Sequence, residues 1–340
     1  MNKLENLKED IQKFQTEFLD TSLTVNLQTS GSTGSPKTIK ALKKAMLLSA
    51  QRTNNFIGLQ PGDTAIICLP IHYIAGKMMV VRAIERQLNI IPLPPVANPL
   101  LTLEAESLPK KTALLAITPQ QLHAIINHPE SRNRLCHISH TIVGGAAIPP
   151  NVEQQIIDLP GNIYATYGMT ETLSHIALRK LNEPERSELF CPLNDISIRK
   201  TSDGTLAIND PQTNPCEIIT NDLVEIAPNG LFRILGRKDN VVNSGGIKLQ
   251  LEELEQRLTS LSVSDYILTY VNHEQYGQAL TLLYTGEVNV ETINLQINEL
   301  LSSKSKPKYI FKVNTIPRTQ TGKPARNEAH ILAEHQLQTM

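Results

Sequence analysis

The chain has 340 residues, 40% hydrophobic and 19% charged, enough for two unequal domains because single cores stop growing near roughly 250–300 residues. Its 32 Lys and Arg against 33 Asp and Glu exclude a charge-driven partnership with nucleic acid or an anionic membrane. The charged start MNKLENLKEDIQKF lacks the apolar core of a signal peptide and no stretch approaches a membrane span, so a cytoplasmic protein is expected. Cys68, Cys136, Cys191 and Cys216 show no C-x-x-C spacing, which argues against a zinc site or a disulfide framework.

In chain order, Leu4, Leu7, Ile11, Phe14 and Phe18 recur at helical spacing and predict a helix over 3–19, followed by a strand over 23–28. That strand enters the run Thr29-Ser30-Gly31-Ser32-Thr33-Gly34-Ser35-Pro36-Lys37-Thr38. Glycines let backbone amides approach an anion, hydroxyls add donors and a lysine adds charge, so the run has the composition of a phosphate cradle. It is not a Walker A loop, because Pro36 stands where G-x-x-x-x-G-K-[ST] needs its second glycine. A solvated loop between strand and helix has the same composition, and the rest of the chain decides between them.

Downstream the pattern predicts helices over 38–56, 75–86, 119–127 and 152–158, with strands over 64–69, 113–118 and 141–143 between them. This is α/β alternation, read as a layered sheet covered by helices. After Gly161 short strands over 196–199, 205–208, 217–219 and 231–234 suggest a β-rich subdomain, and a boundary falls near Gly236. The remainder predicts a small α+β unit, with helices over 249–261 and 290–301 and strands over 265–270, 279–284 and 309–313. The expected division is a large domain over 1–236 and a small, mobile one over 237–340.

The glycine run is followed in order by Gly144-Gly145-Ala146-Ala147, Tyr167-Gly168-Met169-Thr170-Glu171-Thr172, Thr220-Asn221-Asp222-Leu223, Gly236-Arg237-Lys238-Asp239-Asn240, Ser244-Gly245-Gly246-Ile247-Lys248 and Pro317-Arg318-Thr319-Gln320-Thr321-Gly322-Lys323. This series resembles the adenylate-forming, or acyl-CoA synthetase, superfamily. The resemblance implies that family's fold and a two-step reaction. A carboxylate attacks the α-phosphate of Mg-ATP, giving an acyl adenylate and pyrophosphate, and a thiol then displaces AMP. Such chemistry needs cations and backbone donors to offset repulsion between anions.

Carried over motif by motif, the resemblance implies that Thr29, Ser30, Gly31, Ser32, Thr33, Gly34 and Lys37 close over the β- and γ-phosphates. Tyr167 would stack on adenine beside Gly168, Thr170 would touch the α-phosphate and Glu171 would hold Mg2+. Gly144 and Gly145 would admit adenine and the acyl group, and Asp222 with Arg237 would meet the ribose or phosphates. Lys323 would insert between substrate carboxylate and α-phosphate in the first step, and Asp239 matches the hinge about which the small domain swings. Gly245, Gly246 and Lys248 would then face the pantetheine arm of CoA. Taken singly, each residue also has a plain reading: a packed tyrosine, a solvated carboxylate, a charged linker or a turn.

Two departures matter. Only residues 1–28 precede the glycine run, where the family carries a long subdomain, so part of the acyl-pocket wall is expected to differ, or to be supplied by a homo-oligomer or partner subunit. In Pro70-Ile71-His72-Tyr73-Ile74-Ala75-Gly76, Tyr73 takes the place of the histidine in the family's P-x-x-H-x-x-G, with His72 one position earlier. The next helix, Gly76-Lys77-Met78-Met79-Val80-Val81-Arg82, is similar to that of o-succinylbenzoate–CoA ligases of menaquinone synthesis, which carry an arginine at the corresponding step. A dicarboxylic acid would use a second cation there, Arg82 or Lys77, though for either residue alone a helix-surface salt bridge is the favoured reading. The expectation is an acid–CoA ligase acting on o-succinylbenzoate. The alternatives are loading of a carrier-protein pantetheine and a non-catalytic nucleotide-binding scaffold.

Overall fold

The structure is a computed structural model that describes residues 3–28, 38–103, 113–319 and 324–339, and structural statements below refer to these. In chain order it forms α1 (Lys3–Leu19), β1 (Thr24–Gln28), β2 (Thr38–Leu42), α2 (Lys43–Ile57), β3 (Thr64–Ile67), α3 (Ile74–Arg86), β4 (Asn89–Pro92), β5 (Ala113–Ile117), α4 (Pro119–Ile126), α5 (Pro129–Leu135), β6 (His140–Val143), α6 (Pro150–Gln154), β7 (Asn162–Gly168), β8 (His175–Lys180) and β9 (Cys191–Pro192). There follow β10 (Ser197–Lys200), β11 (Thr205–Asn209), β12 (Ile218–Ile226), β13 (Phe232–Arg237), β14 (Val241–Ser244), β15 (Ile247–Gln250), α7 (Leu251–Arg257), β16 (Asp265–His273), β17 (Gly277–Thr285), α8 (Val290–Leu300), β18 (Tyr309–Lys312) and α9 (Arg326–Gln338). Contacts divide the chain into a first unit, Met1–Arg199 with Ala207–Ile219 and Ile226–Arg233, and a second, Lys200–Leu206 with Thr220–Glu225 and Ile234–Met340.

The first unit is built on a seven-stranded sheet of order β4-β3-β5-β6-β7-β8-β9. Strands β4 to β7 pair in parallel, and β8 and β9 continue antiparallel. The central strands are short apolar runs because both faces are covered. Ala65, Ile67, Leu114 and Ala116 point to a core shared with α1, α2 and α3, while Ile66, Cys68, Leu115 and Ile117 point to one shared with α4, α5 and α6. Parallel pairing brings the carboxyl ends of β3, β5, β6 and β7 to one edge. The strand order reverses between β3 and β5, where open α/β sheets bind ligands.

Three predicted helices are corrected. Thr38–Leu42 is a strand, because β-branched Thr38 and Ile39 pair with Gln28 and Leu27 of β1, and the helix begins only at Lys43. The 152–158 prediction shrinks to α6, and the start of the 249–261 prediction is β15, paired with β14. The antiparallel pair β7–β8, absent from the prediction, is the longest pairing at the carboxyl edge and carries the candidate site.

In the second unit the sheet order is β15-β14-β17-β16, with β18 parallel to β17. One face packs Leu268, Leu280, Leu282 and Tyr284 against α7 and α8; the other packs Ile267, Val271, Ala279 and Leu283 against Ala329 and Ala333 of α9. Arg326 anchors α9 with a two-point bond to Glu255 (2.9 and 2.6 Å) and one to the Leu268 carbonyl (2.9 Å). Strands β10 to β13 form a four-stranded sheet in that order.

Candidate functional site

At the carboxyl edge of the first unit β6 runs into Gly144 and Gly145. The Gly144 amide donates to the Ile117 carbonyl (3.1 Å), and a Cβ there would lie 2.2 Å from Thr166 Oγ1, so the close approach of β7 requires glycine. Gly145 has φ +95° and open space where a Cβ would sit. Beside it β7 ends at Gly168, where a Cβ would come within 2.4 Å of the Ser174 carbonyl, and the register slips between Tyr167 and Gly168.

The turn joining β7 to β8 is closed from inside by Thr172, which is buried. Its Oγ1 accepts from the Met169 amide (2.9 Å) and directs its proton to the carbonyls of Met169 (2.9 Å) and Ser174 (2.7 Å). Leu173 takes φ +64° and donates its amide to the Thr170 carbonyl (2.9 Å). Thr170 is left half-buried and Glu171 exposed at the tip. The Tyr167 ring, half-buried, meets Phe232 edge-on at 5.6 Å and Phe190 at 6.0 Å. Those two rings stack on each other, and Arg179, forked onto Glu153, lies over Phe190. Tyr167 is therefore held at its flank by aromatic packing.

Behind the turn lies Arg82 of α3, buried to 2% exposure. Its Nη2 donates to Ser174 Oγ (2.6 Å) and reaches His175 Nδ1 (3.4 Å), its Nη1 meets Met79 Sδ (3.7 Å), and its Nε has no hydrogen-bond partner. None of these contacts is a carboxylate, and burial pulls the guanidinium down to about 10. Lys77, five residues earlier on α3, is placed differently: it donates to the Asn26 carbonyl (2.8 Å) and lies over the Phe14 ring (5.2 Å). Burial lowers its pKa, with the Glu17 charge opposing. Lys77 also lines a shallow cavity of about 210 Å³ with exposed His72, Ile71 and four α1 residues, Asp10, Lys13, Phe14 and Glu17. The His72 and Tyr73 rings sit 4.1 Å apart, and Tyr73 immediately precedes α3 without a side-chain capping bond.

In the second unit Asp222, Arg237 and Asp239 form one network. Arg237 donates to Asp222 Oδ1 (3.2 Å) and Asp239 Oδ2 (2.8 Å), and Asn221 donates to the same Asp239 oxygen (3.1 Å). Burial lowers the Arg237 pKa, but the bond to Asp239 and the charges of Asp222, Asp239 and Glu252 outweigh it and raise it. Gly245 and Gly246, φ +61° and +84°, form the two-residue turn between β14 and β15, which demands positive φ at both positions. Lys248 follows, exposed and opposite Asn243. Thr29, Ser30, Gly31, Ser32, Thr33, Gly34, Lys37 and Lys323 lie outside the described residues.

No cluster of three or more His, Cys, Asp or Glu side chains forms a metal cage among the described residues. A single exposed carboxylate, Glu171, next to a hydroxyl residue suits magnesium, which is commonly held by one or two carboxylates plus substrate phosphates. No described helix is long and apolar enough to cross a membrane. Sequence reading passed over Ser174, His175, Thr53, Phe190 and Phe232; for Ser174 and His175 the only signal is adjacency to the YGMTET string.

Residues 5–206 match the family described as AMP-binding enzyme. The acyl-CoA synthetase (AMP-forming)/AMP-acid ligase II-like protein from Dyadobacter fermentans is 32% identical, with 98% of this chain and 96% of that one covered and a TM-score of 0.65. A 2-succinylbenzoate–CoA ligase of Lactococcus lactis is 22% identical over 330 residues, 92% of this chain and 72% of that protein. The o-succinylbenzoate CoA synthetase (MenE) from Bacillus subtilis, in complex with ATP and magnesium ion, is similar in fold, with a TM-score of 0.75 at 19% identity over 89% of this chain and 69% of that one.

Proposed function

The chain belongs to the AMP-binding enzyme family, and from that premise we propose that it is an ATP-dependent acid–CoA ligase acting on o-succinylbenzoate. The observation that carries the reading is the turn closed by Thr172, which leaves Thr170 and Glu171 adjacent at the carboxyl edge beside Gly144 and Gly145. In the first step a carboxylate oxygen bonds to the α-phosphorus of ATP and pyrophosphate leaves. In the second a thiol sulfur bonds to the acyl carbon, AMP leaves with the bonding pair, and the thiol proton passes to solvent.

Within the first unit, residues 29–37 close over the β- and γ-phosphates, Tyr167 and Gly168 flank adenine, Thr170 donates to the α-phosphate and Glu171 holds the magnesium that accompanies ATP. Magnesium neutralises phosphate charge. His72 and Tyr73 border the acid, and Arg82 supplies the second cation for a dicarboxylic substrate. The absence of a carboxylate partner for Arg82 among the described residues, and the 2-succinylbenzoate–CoA ligases among the chain's relatives, support that assignment. In the second unit Asp222 offers paired acceptors to ribose hydroxyls with Arg237 beside it, Gly245, Gly246 and Lys248 meet pantetheine, and Lys323 acts in the first step. Asp239 serves as the hinge of a small domain over 237–340.

The test mixes the protein with Mg-ATP, CoA and a panel of acids including o-succinylbenzoate, and follows pyrophosphate and thioester by mass. We expect both products with o-succinylbenzoate; no pyrophosphate with any acid sinks the reading. Pyrophosphate without CoA thioester points to a carrier-protein acceptor instead. Lys323→Ala should suppress pyrophosphate release while sparing conversion of a supplied acyl adenylate to thioester, and equal loss in both removes Lys323 from the first step.

A further inference from the structure

His175, first residue of β8, is buried in a strand whose neighbours Ile176, Ala177 and Leu178 are apolar core. A polar ring there requires partners, and it has them on both nitrogens. Nε2 lies 2.9 Å from Thr53 Oγ1 of α2, and Nδ1 lies 3.4 Å from Arg82 Nη2 of α3. Arginine has no acceptor, so Nδ1 must be the bare nitrogen and Nε2 carries the proton. The Thr53 hydroxyl then accepts from Nε2 and sends its own proton to the Ser49 carbonyl (3.3 Å), which leaves both ring nitrogens and the hydroxyl partnered. A second proton on the ring would place two cations 3.4 Å apart in a dry site, so the imidazole stays neutral.

The same Arg82 Nη2 that faces Nδ1 donates to Ser174 Oγ, and the Ser174 carbonyl receives the Thr172 hydroxyl that closes the 169–174 turn. A continuous path of hydrogen bonds therefore runs from α2 through His175 and Arg82 to the turn that presents Thr170 and Glu171. Arg82 has a long, flexible side chain, and among the described residues no carboxylate contacts it to fix it. The lone pair of His175 Nδ1 and the Ser174 hydroxyl are its two nitrogen and oxygen acceptors.

We propose that His175 is a positioning residue for acyl-adenylate formation: its neutral ring holds Arg82 through Nδ1, and Arg82 holds the Thr170–Glu171 turn through Ser174. The inference rests on the adenylating function proposed above, and it adds two residues, His175 and Ser174, that act without touching substrate. Displacing a catalytic turn by about 1 Å costs on the order of 100-fold in rate, while Mg-ATP binding falls far less, because adenine, ribose and the β- and γ-phosphates are assigned to residues outside the 169–174 turn. A residue that only filled space would instead lower the amount of folded protein, and with it the number of binding sites.

The experiment compares wild type, His175→Leu, His175→Asn and Ser174→Ala in acid-dependent pyrophosphate release, with Mg-ATP affinity read separately by calorimetry and folding by thermal melting. Asn places an amide oxygen near the position of Nδ1 and keeps the acceptor for Arg82; Leu removes it. We expect His175→Leu to lower kcat about 100-fold with a much smaller loss of Mg-ATP affinity, about 10-fold at most, His175→Asn to stay within about fivefold of wild type, and Ser174→Ala to lose about 10-fold. Should His175→Leu fail to fold, Ser174→Ala decides, since it deletes one hydroxyl, the acceptor for Arg82, and almost no volume. Wild-type rates in His175→Leu or Ser174→Ala, or equal damage in His175→Leu and His175→Asn, overturn the proposal. A wild-type protein that releases no pyrophosphate with any acid overturns the function reading itself, an outcome distinct from an active wild type with indifferent variants.

Discussion

Two buried arginines of the first unit, thirty positions apart, are answered in opposite ways. Arg52 of α2 meets Asp210 with a two-pronged fork (2.6 and 2.9 Å), and Thr213 adds a further bond to the same carboxylate. Both side chains are under a tenth exposed, so charge is matched by charge inside the protein. Arg82 of α3 is buried more deeply, yet its contacts are a hydroxyl, an imidazole and a thioether. An arginine matched by a carboxylate is a closed structural device. One stabilised only by neutral dipoles retains most of its field, and such residues cluster where an anion is to be received.

Breaking the matched pair should have the largest effect on folding. Asp210→Ala leaves the Arg52 charge buried alone and should destabilise by about 3–5 kcal/mol, seen as a lower melting temperature, while pyrophosphate release per folded molecule is unchanged. Burial pushes the Asp210 carboxyl up, but bonds from Arg52 and Thr213 and the Arg52 charge outweigh it and leave it below its ordinary value. Because the native value is depressed, this stability is complete above the ordinary aspartate range and is lost as pH falls through the native value. The stability gap between wild type and variant should therefore narrow on acidification, and a constant gap would deny Asp210 this role.

The unmatched arginine should show the reverse pattern. Arg82→Met keeps most of the volume and removes an uncompensated buried charge, so the melting temperature should stay level or rise. Pyrophosphate release should fall about 100-fold, or about 2.7 kcal/mol of transition-state stabilisation. A variant that melts well below wild type and keeps its rate would turn the comparison around and make Arg82 the structural member.

The difference between these arginines was only partly legible beforehand. The strings around Tyr167, Asp222 and Lys323 mark where the family resemblance lies, and α/β alternation placed most strands of the first sheet. Arg52 drew no notice, because its partner Asp210 is remote in sequence and a lone arginine in an amphipathic helix looks like a solvated one. Lys77 and Arg82 looked equivalent on one helix, yet five residues on an α-helix turn the side chain far around the axis; one reaches Asn26, the other Ser174. His175 was invisible for the same reason: its partners Thr53 and Arg82 come from two other elements. The strand Thr38–Leu42 was missed because its pairing with β1 outweighs the helical pattern that resumes at Lys43.

A third arginine separates geometry from burial. Arg199 forks onto Glu217 as Arg52 forks onto Asp210, with two nitrogens on two carboxylate oxygens, but its side chain is 55% exposed against 8%. The bond to Arg199 lowers the Glu217 pKa, outweighing the opposing effect of burial, and the Arg199 charge adds to the lowering, so the pair is formed at neutral pH. Water competes for every one of these contacts, and salt at about 0.15 M screens what remains. Glu217→Gln should therefore leave the melting temperature within about 1 °C of wild type, the smallest effect of the series. A drop comparable to that of Asp210→Ala would mean that fork geometry, rather than exclusion of water, sets the worth of these pairs, and the contrast drawn between Arg52 and Arg82 would lose its basis.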